Sequence, residues 1–231
     1  MPELTIRCPD GEFSAYLAIP AQRKGPGILV IQEIFGLNQD MRDHCDAWAE
    51  RGYFAMCPDL YWRQEPGVQL TDQSDEEWKR AVELYYAVDV DKAVEDLKAS
   101  LAHLRDISGC TPKVGTMGFC LGGLLTYLMA TRSDSDCNVG YYGVGIELKL
   151  DEAPQIKKPT MLHIAEEDQF VQKEAQQQIR TGLGTHPQVT VHNYPGMEHA
   201  FARHRGTHYD AAAAQLANQR TQDMFDATLR K

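Results

Sequence analysis

Short apolar runs alternate along this chain with longer segments in which apolar residues recur every three or four positions. Short apolar runs are typical of strands buried on both faces of a sheet, and the longer period is typical of amphipathic helices. The pattern predicts eight strands, at residues 4–7, 13–19, 27–32, 53–57, 114–117, 139–142, 160–164 and 189–194.

Capping residues mark several helix starts between these strands. Asn38 and Asp89 each precede an apolar stripe, Ser74 and Glu77 have the spacing of a capping box, and Gly52 suits a helix exit. The pattern predicts helices at residues 38–51, 74–86, 89–104, 122–132, 173–183 and 210–229.

Strands that alternate with amphipathic helices indicate the α/β class, with a mostly parallel sheet of about eight strands and helices on both faces. The two strands before residue 20 predict an antiparallel hairpin at the N-terminal edge. A chain of 231 residues without an internal repeat is expected to form a single domain, residues 1–231. In such folds, ligands bind at the carboxyl ends of the strands.

Residues 118–122 read Gly-Phe-Cys-Leu-Gly and lie between a predicted strand and a predicted helix. A strand-turn-helix with a nucleophile between small residues is the pattern of a nucleophile elbow, here with cysteine in the place of serine. The turn would place Cys120 at a helix N-terminus, where the helix dipole favours a thiolate. A buried structural cysteine is the alternative, and the strand and helix on either side favour the elbow.

An acid and a histidine follow two later strands. Asp168 comes after the strand at 160–164, and His199 comes after the strand at 189–194. Nucleophile, acid and histidine, each on a loop after a successive strand, is the order of α/β-hydrolase triads. The sequence therefore predicts a triad of Cys120, Asp168 and His199. Glu166 or Glu167 could orient the imidazole instead, which would leave Asp168 as a helix cap.

The remaining histidines are expected to be surface residues or core residues with hydrogen-bond partners: His44, His103, His163, His186, His192, His204 and His208. His204 and His208 have the helical spacing of a metal-binding pair, but no third ligand accompanies them. Metal catalysis is therefore the weaker hypothesis.

The net charge limits the classes of binding partner, and the cysteines indicate the cellular compartment. With 33 acidic and 23 basic residues, the net charge of −10 argues against nucleic acid and anionic membranes as main partners. Six dispersed cysteines and no signal-peptide pattern predict reduced thiols in a cytoplasmic protein. The protein is expected to be a monomer or a small homo-oligomer.

Five segments, taken together, resemble the dienelactone hydrolase (carboxymethylenebutenolidase) family over nearly the whole chain: residues 32–36, 57–61, 118–123, 140–145 and 199–203. The resemblance implies an α/β-hydrolase fold and the opening of an enol-lactone ring by Cys120, His199 and Asp168, without a cofactor or a metal. It also implies an acyl-cysteine intermediate.

The same resemblance implies further roles. Glu33 would hydrogen-bond the resting thiol and take its proton, and the main-chain N–H groups of Ile34 and Leu121 would form the oxyanion hole. Arg203 would bind a substrate carboxylate, for which its planar guanidinium is suited.

The chain departs from the family pattern on the predicted helix at 74–86. Where better-known members have a second arginine and a tyrosine, this chain has Trp78 and Val82. Replacements could come from Arg63, Arg80, Tyr85 or Tyr86. A pocket walled by Phe35, Trp78 and Tyr85 would favour a bulkier or less acidic ester.

The leading hypothesis is hydrolysis of an enol-lactone or a related activated ester, with a small carboxylated molecule as substrate. One alternative is a general carboxylesterase or thioesterase. Another is a redox-sensing or ligand-binding module that uses the thiol of Cys120 without acyl turnover, and the order of the triad residues makes it the weakest of the three.

Overall fold

The computed structural model of the protein describes residues 3–231. Its eight strands are β1 (Glu3–Cys8), β2 (Gly11–Ala18), β3 (Gly25–Ile31), β4 (Phe54–Pro58), β5 (Cys110–Phe119), β6 (Asn138–Tyr141), β7 (Thr160–Ala165) and β8 (Val189–Tyr194). They form one sheet in the order β1-β2-β4-β3-β5-β6-β7-β8. The pairs β1–β2 and β2–β4 are antiparallel, and the pairs from β4–β3 to β7–β8 are parallel. The predicted α/β class with an antiparallel N-terminal hairpin is confirmed.

The described part of the chain has six α-helices and one 3₁₀ helix, and all but the last helix lie between strands. They are α1 (Gln39–Glu50), α2 (Asp75–Ala87), α3 (Val90–Asp106), α4 (Leu121–Arg132), α5 (Lys173–Leu183), α6 (Ala211–Leu229) and the 3₁₀ helix Ile146–Gln155. Among residues 3–231, no helix is both long enough and apolar enough to cross a membrane.

The helices cover both faces of the sheet. Leu97 of α3, Leu125 of α4 and Ile179 of α5 belong to one buried apolar cluster. Trp48 of α1 and Phe225 of α6 belong to a second cluster. Each cluster contains alternate residues of the central strands, because successive side chains of a strand point to opposite faces of the sheet. The sheet is therefore covered on both sides, and its carboxyl edge is left for the loops.

Most predicted helix starts are present. The side chains of Asn38, Asp89 and Asp210 accept the third N–H of their helices, and Gly52 has a φ of 88° at the exit of α1. The capping box of α2 is only half formed. Ser74 accepts from the N–H of Glu77, but the Glu77 carboxylate hydrogen-bonds Thr71 instead of returning to Ser74.

Candidate active site

Cys120 occupies the single residue between β5 and α4. Its φ of 55° and ψ of −114° are a strained conformation for a residue with a side chain. Its N–H donates to the carbonyl of Tyr141 on the neighbouring strand, at 3.1 Å. The sharp turn leaves the side chain of Cys120 partly exposed at the carboxyl edge of the sheet.

Two glycines allow this turn. A Cβ on Gly122 would lie 2.3 Å from the carbonyl oxygen of Ile31, and one on Gly118 would lie 2.2 Å from the carbonyl oxygen of Gly122. Real Cβ atoms do not approach backbone oxygen so closely, so any side chain at these positions would push α4 away from the sheet. The first turn of α4 can pack directly on β3 and β5 because both residues are glycine.

Asp168 and His199 come together from the loops after β7 and β8. The Asp168 Oδ2 lies 2.7 Å from the His199 Nδ1, and both side chains are buried. The Asp168 Oδ1 accepts from the N–H groups of Phe170 and Val171 at 2.8 and 3.2 Å, which fixes the carboxylate within its own loop.

The two neighbouring glutamates do not contact this imidazole. Glu167 is exposed and pairs with Lys173 at 2.9 Å. Glu166 is half-buried, and its carbonyl oxygen accepts from Lys173 and Gln176. Of the three acids after β7, Asp168 is the one that orients the His199 ring, and it also serves as the local loop cap.

The side chains of Cys120 and His199 both line the cavity, and the Cys120 sulfur acts on the imidazole. Burial by itself lowers the pKa of His199. The charge of the Cys120 sulfur and the hydrogen bond with Asp168 outweigh that effect and raise the pKa to about 10. An imidazolium beside a thiolate is therefore favoured when the proton moves from sulfur to nitrogen.

Aromatic rings enclose the imidazole. Tyr142 and Phe170 each contact His199 edge to face, with ring centroids 4.9 Å away. The Tyr142 hydroxyl is buried and makes no hydrogen bond within residues 3–231. Burial, followed by the charge of Glu33, raises the pKa of Tyr142 well above its ordinary value. The sequence did not single out Tyr142, because a buried tyrosine after a strand has no distinguishing pattern.

Glu33 follows β3 and is buried beside Arg203. Its Oε2 accepts from the Arg203 Nη1 at 3.0 Å, while its Oε1 has no hydrogen-bond partner among the described residues. The hydrogen bond to the Cys120 thiol that the resemblance implied is therefore not present. A guanidinium is a stronger donor to a carboxylate than a thiol, because both partners are charged.

The two expected oxyanion donors lie at the ends of different elements. Leu121 is the first residue of α4, so its N–H has no partner within the helix. Ile34 follows β3, and its carbonyl accepts from the buried Tyr61 hydroxyl at 2.9 Å. Tyr61 therefore fixes the peptide after Ile34, a role that no sequence pattern indicated.

A cavity of about 480 Å³ opens beside Cys120 and His199. Its walls are formed by Glu33, Ile34, Phe35, Asp72, Trp78, Val82, Tyr85, Tyr86, Cys120, Val144, Gln169, Phe170, His199, Arg203, Thr207 and His208. Phe35, Trp78, Tyr85 and Arg203, the residues expected to contact substrate, are all in its walls. Asp72 was not expected there.

The two other arginines near α2 are engaged elsewhere. The Arg63 guanidinium pairs with Asp96 and Asp10, and that of Arg80 pairs with Glu65 and Glu83. Neither arginine is in the cavity wall, so neither replaces the second arginine of the family pattern there.

The other histidines have separate surroundings. His163 is buried, with its ring nitrogens 2.8 Å from the Tyr194 hydroxyl and 3.1 Å from the Thr221 hydroxyl. His208 lies in the cavity wall and pairs with Glu198 at 2.6 Å. Within residues 3–231, no group of three or more His, Cys, Asp or Glu residues is arranged to hold a metal ion.

The fold and this site define the class as an α/β-hydrolase with a cysteine at its nucleophile elbow. The crystal structure of a Klebsiella pneumoniae protein, provisionally named a dienelactone hydrolase, superposes with a TM-score of 0.84 and 25% identity and covers 97% of both chains. The model of the dienelactone hydrolase family matches residues 13–229, and the chain belongs to that family.

Two relatives with assigned names support the membership. A protein of Azospirillum brasilense, named provisionally as a carboxymethylenebutenolidase, is 50% identical over 218 residues, or 94% of each chain. The carboxymethylenebutenolidase of Pseudomonas putida is 40% identical over 223 residues, or 96% of this chain and 94% of the relative. The chain is accordingly a hydrolase.

Proposed function

We propose that the protein opens an enol-lactone ring by covalent catalysis at Cys120, assisted by His199 and Asp168. The observation that carries the proposal is that Cys120 and His199 line the same cavity, while Asp168 holds the His199 ring by a hydrogen bond of 2.7 Å. The substrate class follows from the names of the relatives, which are carboxymethylenebutenolidases.

In the first step, the Cys120 proton passes to His199, and the sulfur attacks the lactone carbonyl carbon. The carbonyl oxygen becomes an oxyanion that accepts from the N–H groups of Ile34 and Leu121. The ring C–O bond then breaks, leaving an acyl-cysteine and an enolate, and the His199 imidazolium gives its proton to the enolate, which leaves the imidazole neutral for the next step. Glu33 is a second proton acceptor, and it becomes available when its ion pair with Arg203 loosens.

The second step is hydrolysis of the acyl-cysteine. His199 removes a proton from a water molecule, the water oxygen bonds to the acyl carbon, and the C–S bond breaks to restore the thiolate. An enolate is a better leaving group than an alkoxide, which suits a thiolate nucleophile that is itself easily expelled. The described steps need no cofactor and no metal.

Arg203 is the proposed contact for the substrate carboxylate. It is the one lysine or arginine side chain among the described residues of the cavity wall. Phe35, Trp78 and Tyr85 would pack against the flat faces of the lactone. Replacing Arg203 with alanine should lower kcat/KM for a carboxylated lactone far more than for p-nitrophenyl acetate. Equal losses on the two substrates would remove this contact from the proposal.

Substitution of the nucleophile tests the proposal most directly. Cys120→Ala should lower kcat for dienelactone and for p-nitrophenyl acetate by about 10³-fold or more, as loss of a nucleophile does in other triad hydrolases. Cys8→Ser, which changes a partly exposed cysteine outside the cavity wall, serves as the matched control. Full activity of the Cys120→Ala protein would eliminate the mechanism.

A second function, hydrolysis of neutral aromatic esters, is supported by the aromatic wall. The ring centroids of Phe35 and Trp78 are 5.8 Å apart, and those of Trp78 and Phe170 are 6.0 Å apart. Such a wall binds a flat uncharged ring through dispersion and apolar burial. Turnover of p-nitrophenyl benzoate measured beside that of dienelactone would rank the two substrate classes.

We further propose that residues 1–231 form one domain that works in the cytoplasm as a monomer or small homo-oligomer on small molecules, not on nucleic acid. All six cysteines are free, which fits a reducing compartment. Fractionation of the source cells tests the location, and light scattering of the purified protein tests the oligomeric state.

A further inference from the structure

Arg203 is held between two carboxylates before any substrate arrives. Its Nη1 donates to Glu33 and its Nη2 donates to Asp72, each at 3.0 Å. The side chains of all three residues are no more than 8% exposed. One positive charge is thus already compensated by two negative charges inside the proposed substrate cavity.

The remaining surfaces of the Arg203 guanidinium are also covered. Its central carbon lies 4.8 Å from the centre of the Phe35 ring, so one face stacks on that ring. A Cβ on Gly206 would lie only 2.6 Å from the Arg203 Nε, so the Nε edge of the guanidinium faces the loop that contains both residues. A substrate carboxylate that approaches from the cavity therefore meets the terminal nitrogens, which Glu33 and Asp72 already contact.

Asp72 is positioned by donors from two loops. Besides Arg203, its Oδ2 accepts from the Thr207 N–H at 3.2 Å and from the Thr207 hydroxyl at 3.4 Å. Its Oδ1 accepts from Gln73 at 2.6 Å. These contacts hold the Asp72 carboxylate on Arg203 from the loop between β4 and α2, independently of Glu33.

The surrounding field is negative. Burial, followed by the charge of Glu33, raises the pKa of the nearby Asp40 to about 6, although Arg203 and Arg205 oppose the shift. An anionic substrate would therefore enter a region where carboxylates already outnumber the buried cation. A neutral ester would meet no such repulsion.

The geometry points to Asp72 as a specificity-determining residue that competes with the substrate carboxylate for Arg203 and so favours uncharged over carboxylated substrates. When Glu33 leaves Arg203 to accept a proton, Asp72 stays on the Nη2, so Asp72 is the carboxylate that still competes with a bound substrate for Arg203. The inference rests on the proposed function and names the substrate preference of the same site.

Dienelactone and its methyl ester, which differ by one methyl group and one negative charge, test the inference. Ring opening followed by ultraviolet absorbance gives kcat/KM for each compound. In Asp72→Asn, the ratio of the acid to the methyl ester should rise about tenfold, mainly through a lower KM for the acid, because a like charge is removed. Asp43→Asn, which changes an acid paired with Arg205 outside the cavity wall, should leave the ratio unchanged.

An unchanged ratio in an active Asp72→Asn enzyme would overturn the inference, as would an equal loss on both compounds, which would indicate a purely structural clamp. If Asp72→Asn fails to fold, Asp72→Ser supplies a shorter neutral acceptor for Thr207 and the same ratio is measured. Failure of the proposed function is separate: both compounds would then be opened by Cys120→Ala.

Discussion

The protonation of the His199 side chain depends on the two side chains beside it, Cys120 and Asp168. Burial opposes its charged form, whereas the Cys120 sulfur and the Asp168 carboxylate favour it, and the net result is a pKa of about 10. A residue with this balance holds a proton across the neutral range only while the sulfur beside it is ionised. The imidazole would therefore respond directly to whether the cysteine is a thiolate or the proposed acyl-cysteine.

We expect the pKa of His199 to fall when either neighbour loses its charge. Cys120→Ala removes the largest favourable contribution and should lower the pKa most, and Asp168→Asn should lower it less. NMR titration of the resonance from the His199 Cε1 proton measures both pKa shifts. His103→Gln, which removes one other histidine resonance, checks the assignment of resonances to residues. A pKa still near 10 in Cys120→Ala would contradict this account.

Site residues that follow a strand could be predicted from the sequence, whereas those placed by contacts between distant segments could not. Cys120, Asp168 and His199 each follow a strand, so their shared edge could be predicted from chain order. Asp72 and Tyr61 contact Arg203 and Ile34 across long sequence separations. No local period or spacing records such contacts, so these two residues emerged only from the structure.

At the scale of elements, the close approach of α4 to the sheet is the feature on which the elbow depends. We expect Gly122→Ala to destabilise the protein by about 3 kcal/mol or more and to abolish activity, because its new methyl group meets the rigid Ile31 carbonyl. Urea unfolding and ester turnover measure the two effects.

Gly182→Ala in α5 is the matched control for this substitution. Its new methyl group would meet the flexible Leu150 side chain at 3.2 Å, and alanine favours helix, so stability should change by less than about 1 kcal/mol. Equal effects of the two substitutions would show that the close packing at Gly122 is not special.

The loop after β3 gives a second prediction at this scale. Tyr61→Phe leaves the Ile34 carbonyl without its buried donor and should lower kcat about tenfold by loosening the loop that we propose binds the oxyanion. Tyr127→Phe removes a comparable hydrogen bond to the Lys149 carbonyl, distant in the chain, and should cost similar stability without a loss in kcat. An unchanged kcat in Tyr61→Phe would contradict the role given to this hydrogen bond.

The hydrophobic pattern did not predict every helix and strand or the exact ends of those it did predict. The strand predicted at 114–117 extends over Cys110–Phe119, because Cys110 already pairs with Gly25, although the side chains before Val114 are partly or fully exposed. The 3₁₀ helix Ile146–Gln155 was not predicted, since a 3₁₀ helix lacks the α-helical period and this one contains Pro154. By contrast, α5 and β8 begin and end where they were predicted.

For the whole molecule, histidines with opposite pKa shifts set the pH range of stability. Burial, followed by the charges of His192 and Arg220, lowers the pKa of His163 well below its usual value. The unfolded chain then binds a proton below about pH 6.5 that the folded chain does not, so stability falls with falling pH. The raised pKa of His199 acts in the opposite sense, and its stabilisation is lost as pH rises toward about 10.

Burial also lowers the pKa of His44, to about 4, so two buried histidines oppose the single raised pKa of His199. We therefore expect the free energy of unfolding to decrease between pH 7.5 and pH 5.5. His163 contributes at most about 1.4 kcal/mol per pH unit below its unfolded pKa. In His163→Gln, the decrease should be smaller, while His186→Gln, a change at a partly exposed turn, should behave like the wild type. Urea unfolding at both pH values gives the comparison, and an equal decrease in His163→Gln and wild type would contradict it.

The order of the strands also lay beyond the sequence. The pattern indicated a parallel sheet with an N-terminal hairpin, but nothing local specified that β4 lies between β2 and β3. That arrangement follows from which helices cover which face, and it is a property of the assembled sheet.

Because β8 lies at the edge of the sheet, the protein is expected to lose activity before it unfolds. Within residues 3–231, β8 pairs with β7 alone, and His199 depends on that pairing to reach Asp168. Displacement of β8 by two residues would carry His199 roughly 7 Å along the sheet. At low urea concentrations, activity should therefore be lost while the circular dichroism spectrum is still that of the folded protein. Inactivation would then report the local displacement of β8, before the rest of the sheet unfolds.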